Sequence, residues 1–212
     1  MPESLPEAGG HSSPASKSLY TTLLVRLQAN EDDAWRRLDH VYGPVVLGWC
    51  HGAGLRSDDA ADVKQEVFRS VAEAIADFRR DKPGDSFRGW LWRITQNKLR
   101  DFFRRQRQQP AAAGGTTFRQ QLQEIPLDGP ADEESLPPGP SDEATGGVFR
   151  RALELVRSEF AENTWQAFWG VTVAGQSAAE VAAALGMSAG AVYVAKSRVL
   201  RRLREEFGPL LQ

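Results

Sequence analysis

The sequence predicts an all-α chain: two small helical domains joined by a flexible, acidic, proline-rich linker. Three observations carry this. Apolar residues recur at helical spacing through both halves, with no run of alternating β-branched residues that would mark a strand. Residues 124–143 hold five prolines and seven acids with no Lys or Arg. Such a stretch cannot bury enough apolar surface to offset its ordering entropy, and its prolines block helix. Finally, 212 residues leave room for one medium domain or two small ones. The predicted boundaries are a disordered tail at 1–18, a first domain at 19–107, a linker at 108–146 and a second domain at 147–212.

The bulk composition, with 25% charged and 41% hydrophobic residues, is that of an ordinary soluble protein. The net charge of −2 averages over strongly opposed segments, so it does not exclude nucleic-acid binding. Cys50 is the single cysteine, which rules out an internal disulfide and fits a reducing compartment. No apolar run approaches the ~20 residues that span a bilayer, and the first 18 residues lack the apolar centre of a signal peptide. The expected location is therefore cytoplasmic, without membrane insertion.

In the first domain, residues 19–27 lead into an acidic helix start at Asn30, Glu31, Asp32 and Asp33. The next helix carries Ala34, Leu38, Val41 and Val45 at helical spacing, with Gly43 and Pro44 predicted to kink or interrupt it. After a turn at Gly52, Ala53 and Gly54, Ser57 is expected to cap a helix whose Asp58 and Asp59 suit the positive end of its dipole. Ala60, Val63, Val67, Val71, Ala74 and Phe78 line its apolar face. Lys82, Pro83 and Gly84 break the chain, and Ser86 caps a last helix with the stripe Phe87, Leu91, Ile94, the Lys98 stem and Phe102. The second domain should hold helices at about 148–160, 164–173, 178–185 and 189–207.

The final pair carries the most information. Ser177 and Glu180 fit a capping box, and Gly186 stands where a left-handed residue must end the first helix. Val181, Leu185, Val192, Val199 and Leu203 are placed to close a small core. This is a helix-turn-helix pattern, which puts its second helix into a DNA major groove. The face away from that core carries Gly190, Tyr193, Val194, Ser197 and Arg201, with Ser188 and Ala189 at its start and Arg198, Arg202 and Arg204 around it. Lys196 lies nearer the core. A plain helical hairpin with a solvated basic end is the alternative.

Residues 79–107 hold ten basic and three acidic side chains, a local charge of +7, interleaved with Trp90, Trp92, Phe102 and Phe103. Cations for phosphates and flat rings for unstacked bases are what single-stranded DNA binding requires. The competing reading makes the aromatics core and the arginines a solvated face. The preceding helix has the opposite charge: six acids against Lys64 and Arg69. Asp62, Gln65, Glu66 and Arg69 lie off its apolar stripe, a face suited to a basic protein partner rather than to DNA or a metal.

Together these residues resemble the extracytoplasmic-function group of the main bacterial sigma-factor family. Asp59-Ala-Ala-Asp62-Val-Lys-Gln65-Glu66-Val-Phe68 is similar to the helix that docks on the polymerase β′ clamp. The run from Phe87-Arg-Gly-Trp90-Leu-Trp92 through Asn97, Lys98 and Arg100 to Arg104 resembles the segment that captures the −10 element. The helix-turn-helix at 177–204 resembles the −35 reader.

The resemblance implies a sigma-two-like domain, a linker and a sigma-four-like domain. It implies core RNA polymerase (β′ clamp and β flap) and promoter DNA as partners, and it allows for an anti-sigma factor. Core binding would fall to Asp62, Gln65, Glu66 and Arg69. Capture of the −10 strand would fall to Arg88, Trp90, Trp92, Arg93, Asn97, Lys98, Arg100 and Arg104, with the two tryptophans also placed to pack beneath that site. Reading of −35 would fall to Ser188, Ala189, Gly190, Tyr193, Val194, Ser197, Arg198 and Arg201. Where the family often carries Thr and Arg stand Ala191 and Tyr193, so no −35 sequence is predicted.

A stand-alone helix-turn-helix regulator would account for the second domain but leave the first unexplained. No nucleophile–base pair or phosphate loop is visible, and the three histidines sit in separate contexts. The expectation is therefore no enzyme, no cofactor and no metal site.

Overall fold

The computed structural model describes residues 22–79, 85–108 and 143–211. The predicted tail and nearly all of the predicted linker lie outside them. Among the described residues the chain is all-α, with eight helices and no strand. The first block comprises α1 (Leu23–Gln28), α2 (Asp32–Gly52), α3 (Ser57–Ala74), a short 3₁₀ turn (Ile75–Asp77) and α4 (Phe87–Gln108). The second comprises α5 (Glu143–Arg157), α6 (Glu162–Thr172), α7 (Ala178–Leu185) and α8 (Ala189–Leu211).

Local chemistry explains most of the helix ends. Asp32 and Asp33 occupy the first turn of α2, where the free N–H groups favour negative charge. Ser86 Oγ accepts a 3.0 Å hydrogen bond from the Gly89 N–H and caps α4 as expected. Ser57 does not cap α3: the helix already includes it, Arg56 holds the cap position, and no side chain closes that end. Gly43 and Pro44 do not interrupt α2, which runs through both as one helix. The carbonyl that Pro44 leaves without a helical partner belongs to His40, and both residues are exposed, so water can serve it.

Burial of the α3 stripe follows the sequence, with Ala60, Val63, Val67 and Val71 all in the core. On α4 the buried line is rotated from the predicted one. Phe87, Leu91, Trp92, Thr95 and Leu99 are buried, while Ile94 and Phe102 are half-buried. The buried residues Phe87, Leu91, Thr95 and Leu99 advance by four, each step turning the line about 40° further toward the Trp92 flank, whereas the predicted stripe steps by only three to Ile94 and stays near its starting line. Trp92 instead enters the core and packs on Trp49, ring centroids 5.0 Å apart.

The two blocks pack against each other. α5 lies on α2, and α8 runs back over α1 and α4. Leu23, Tyr42, Phe87, Val199, Phe207 and Leu210 thereby join one apolar core. α8 continues past the predicted end near 207 to Leu211, through Pro209, and its last turns bury Phe207 and Leu210. The Tyr42 hydroxyl donates to the Leu210 carbonyl, and Arg151 on α5 donates to the Val41 carbonyl at 2.9 Å. No single described helix is long and apolar enough to cross a membrane.

Candidate nucleic-acid interface and docking face

The end of the second block is built from the residues that the sequence singled out. Ser177 Oγ accepts from the Glu180 N–H (3.2 Å), and the Glu180 carboxylate accepts from the Ser177 N–H (2.8 Å), which fixes the start of α7. Those bonds from Ser177 hold the Glu180 carboxyl below its ordinary range. Gly186 ends α7 at φ 64°, a left-handed conformation that a side chain would strain. Ser188 Oγ then accepts from the Ala191 N–H at 3.2 Å and starts α8.

α7 and α8 meet at 102°, within the range of DNA-binding helix pairs. Val181, Val192 and Ala195 pack with Ala167 of α6 beneath them. A Cβ on Gly170 would stand 2.8 Å from Val181, so α6 and α7 touch only because that position is glycine.

All eight residues proposed from sequence for this surface are exposed: Ser188, Ala189, Gly190, Tyr193, Val194, Ser197, Arg198 and Arg201. Tyr193 and Val194 are 58% and 50% exposed and stand side by side on this face. Lys196 is half-buried, as its position suggested. Arg202 departs from expectation. Its guanidinium binds Glu159 (2.6 and 3.0 Å) and Glu206 (2.8 Å), so it is committed inside the protein rather than offered to phosphate.

On α4, Arg93, Asn97, Arg100 and Arg104 recur every three or four residues and form one stripe. Arg93, Asn97 and Arg104 are exposed, and Arg100 is half-buried. The Asn97 carbonyl oxygen accepts from Arg100 at 3.3 Å, which leaves the Asn97 amide N–H₂ pointing away from that bond. Arg88 and Lys98 are half-buried beside the stripe. The tryptophans lie beneath it: Trp92 is 3% exposed, and Trp90 packs on Phe78 and Phe87 at 4.9 and 5.5 Å. In this arrangement Trp92 is a core residue, because its ring is sandwiched away from solvent where no base could reach it.

The acidic face of α3 leaves Asp62, Gln65 and Arg69 exposed. Glu66 is half-buried, and both its oxygens accept from one Arg105 nitrogen at 3.1 Å. Arg105 escaped the sequence reading, since nothing local links residues so far apart on separate helices. A second surface also escaped it. Between α5 and α6 lies a cavity of about 450 Å³ walled by Leu153, Trp165, Trp169 and Gly170, with Arg150, Arg157 and Glu162 at its rim. The spacing of Trp165 and Trp169, one helical turn apart, was its only local signal.

Comparison with known proteins finds relatives for this chain. Residues 38–109 match the family model described as Sigma-70 region 2. RNA polymerase sigma factor CnrH of Cupriavidus metallidurans (strain CH34) is 29% identical over 170 residues, covering 80% of this chain and 84% of that protein. RNA polymerase sigma factor NccH of Alcaligenes xylosoxydans xylosoxydans is 29% identical over 190 residues, covering 89% and 93%. A solved structure of CnrH in complex with the cytosolic domain of CnrY is 23% identical, covers 85% of this chain and 92% of that one, and has a TM-score of 0.35.

Proposed function

We propose a promoter-reading mechanism for this chain, which belongs to the extracytoplasmic-function group of the sigma-70 family and is an alternative sigma factor for transcription initiation. Its partners are RNA polymerase and promoter DNA, and its place of action is the cytoplasm. The acidic face of α3, with Asp62, Gln65, Glu66 and Arg69, docks on the β′ clamp of core polymerase. The start of α8 enters the −35 major groove, where Tyr193, Val194 and Ser197 face base edges and Arg198 and Arg201 face phosphates. The cavity beside Trp169 receives the β flap.

The stripe on α4 takes the −10 strand once the duplex opens. Arg93, Arg100 and Arg104 neutralise phosphates, while Asn97 both donates to and accepts from a base edge. Arg88 and Lys98 flank the stripe, and Trp90 and Trp92 support it from below. Strand opening then needs no hydrolysis, because captured bases stabilise the open state through differential binding. An anti-sigma protein is a further proposed partner, tested by co-purification from the organism of origin.

One observation carries this reading. The chain presents a basic stripe on α4 and, separately, an exposed helix-turn-helix face, so one molecule offers surfaces for single- and double-stranded DNA. The test mixes core polymerase, this protein and a promoter pool, and maps the transcripts. New start sites are expected. Replacing Gln65 and Glu66 with Ala should abolish core association while the circular-dichroism spectrum stays unchanged. The competing reading, a regulator acting without polymerase, draws on the exposure of the α8 face in the free chain. It would be favoured by tight, sequence-specific binding to promoter duplex with no core present.

A further inference from the structure

The first turns of α8 carry a side-chain set that narrows which base pairs they can read. In a helix-turn-helix the N-terminal residues of the second helix meet the base edges. From Ala189 to Ser197 the chain holds no Arg, Asn, Gln, Asp or Glu. Lys196, the one cation among them, is half-buried and stands about 120° around the helix from Gly190, at ~100° per residue. Arg198 and Arg201 follow only in the third and fourth turns, beyond the part that meets base edges.

Each base edge calls for a different partner in the major groove. Guanine offers two acceptors, which suit the donors of Arg or Lys. Adenine offers an acceptor and a donor, which suit Asn or Gln, and cytosine offers a donor, which suits Asp or Glu. None of those side chains stands on the outer face of the first two turns of α8. Thymine differs, because its C5-methyl group is matched by an apolar contact. Tyr193 and Val194, side by side and half-exposed, supply that contact. The hydroxyls nearby discriminate weakly. Ser188 Oγ is occupied as the helix cap by the Ala191 N–H, and a serine such as Ser197 pairs with any base edge.

Gly190 is a second, independent observation. It lies inside α8 with ordinary helical backbone, so no turn requires a glycine there. A Cβ at that position would meet nothing nearer than Ser188 Oγ at 3.9 Å, so no packing requires it either. Glycine nevertheless weakens a helix relative to alanine. Gly190 sits between Tyr193 and Val194 on the outer face, one turn before them. A bare backbone at that point lets the helix approach the groove floor, and a side chain as short as valine needs that approach to reach a methyl group.

We infer that α8 reads thymine by its methyl groups: Val194 and the Tyr193 ring pack on C5-methyls of A·T pairs in the −35 element, and Gly190 sets the depth. The inference rests on the −35 reading of α8 proposed above and names the base class that this face recognises. Arg198 and Arg201 then hold the backbone without choosing the sequence.

Holoenzyme assembled from core polymerase and the full chain provides the test. Its mapped promoter is rebuilt as a duplex in which single −35 thymines become deoxyuridine, which loses the methyl group and keeps the base pair. At one or two positions uracil should weaken binding about fourfold, the effect of losing one buried methyl-sized group. Val194→Ala should lose a similar factor on the thymine duplex and become indifferent to uracil at one of those positions. Alanine is the better helix former, so this variant keeps its fold. Gly190→Ala should melt at a higher temperature yet bind the promoter severalfold more weakly, a split that a purely structural glycine would not produce.

Uracil tolerated at every −35 thymine would overturn the methyl reading. So would a dominant loss from 7-deazaguanine, which removes the N7 acceptor that an arginine or lysine would use. Equal uracil sensitivity in the parent and in Val194→Ala would overturn the assignment of the contact to Val194. Binding and transcription that survive replacement of the whole −35 element would overturn the −35 reading of α8, and the base assignment with it.

Discussion

At the scale of single residues, neighbours in the sequence have opposite fates. Trp92 and Arg93 both belong to the basic aromatic segment, yet Trp92 is buried against Trp49 while Arg93 faces solvent. Trp92→Ala should therefore cost about 3–5 kcal/mol of stability, the usual loss for truncating a buried large aromatic. Arg93→Ala should leave the denaturation midpoint unchanged and weaken binding to a single-stranded −10 oligonucleotide. Urea titration and fluorescence anisotropy separate the two. A stable Trp92→Ala variant with impaired strand binding would make the tryptophan a direct DNA contact.

The same contrast separates Arg201 from Arg202. Arg201 is exposed, and its only described ionic partner is Glu205 at 3.8 Å, whereas Arg202 is held by Glu159 and Glu206. Burial opposes the charge on Arg202, but its hydrogen bonds to those carboxylates outweigh it and raise its pKa above the ordinary value. Arg201→Ala should reduce the slope of log affinity against log salt by about one, the loss of one phosphate contact. Arg202→Ala should leave that slope unchanged.

At the scale of elements, α7 depends on its cap. With only eight residues it is too short to be stable on propensity alone, so the Ser177–Glu180 box and Gly186 hold its ends. Ser177→Ala should lower stability by about 1 kcal/mol at neutral pH, the typical cost of losing an N-cap. The pH dependence has a definite sign. Because Ser177 depresses the Glu180 pKa in the folded state, the stabilisation is present above the unfolded value near 4.5 and is lost as pH falls through the lower folded value. Thermal melts between pH 6 and pH 3 should show Ser177→Ala losing less stability on acidification than the parent. Parallel curves would dismiss the coupling.

At the scale of the whole molecule, the continuous core joining Tyr42, Phe87, Phe207 and Leu210 couples the two blocks. Calorimetry should show one unfolding transition for the parent chain. Leu210→Ala removes a buried contact at the joint and should split it into two, as each block melts independently. Two transitions in the parent would mean that the blocks are energetically separate. The charge pattern also acts at this scale. An acidic α3 and a basic α4 meet at Glu66 and Arg105, so the proposed polymerase-docking face is already partly neutralised by its own neighbour. A basic partner must displace or share that pair.

The all-α class, the helix-turn-helix and its caps, and the acidic and basic helices were legible because each depends on residues within one or two helical turns. Periodicity, a serine three residues before a glutamate, and a glycine at a left-handed turn are local facts that packing rarely overrides. The structure placed all eight residues proposed for the α8 face on the surface, since the short core at Val181 and Val192 fixes which side of the helix is free. The cap at Ser57 and an interruption of α2 at Pro44 were not what the structure shows, because helix starts and breaks also depend on what surrounds them. The burial of Trp92, the capture of Arg202 and the pairing of Arg26 with Glu206 were beyond local reading. Arg26 meets Glu206 across 180 residues, and Tyr42 meets Leu210 across 168. No pattern of neighbours encodes such pairings: they arise only when α8 folds back across α1 and α4, and water is excluded from the charges caught between.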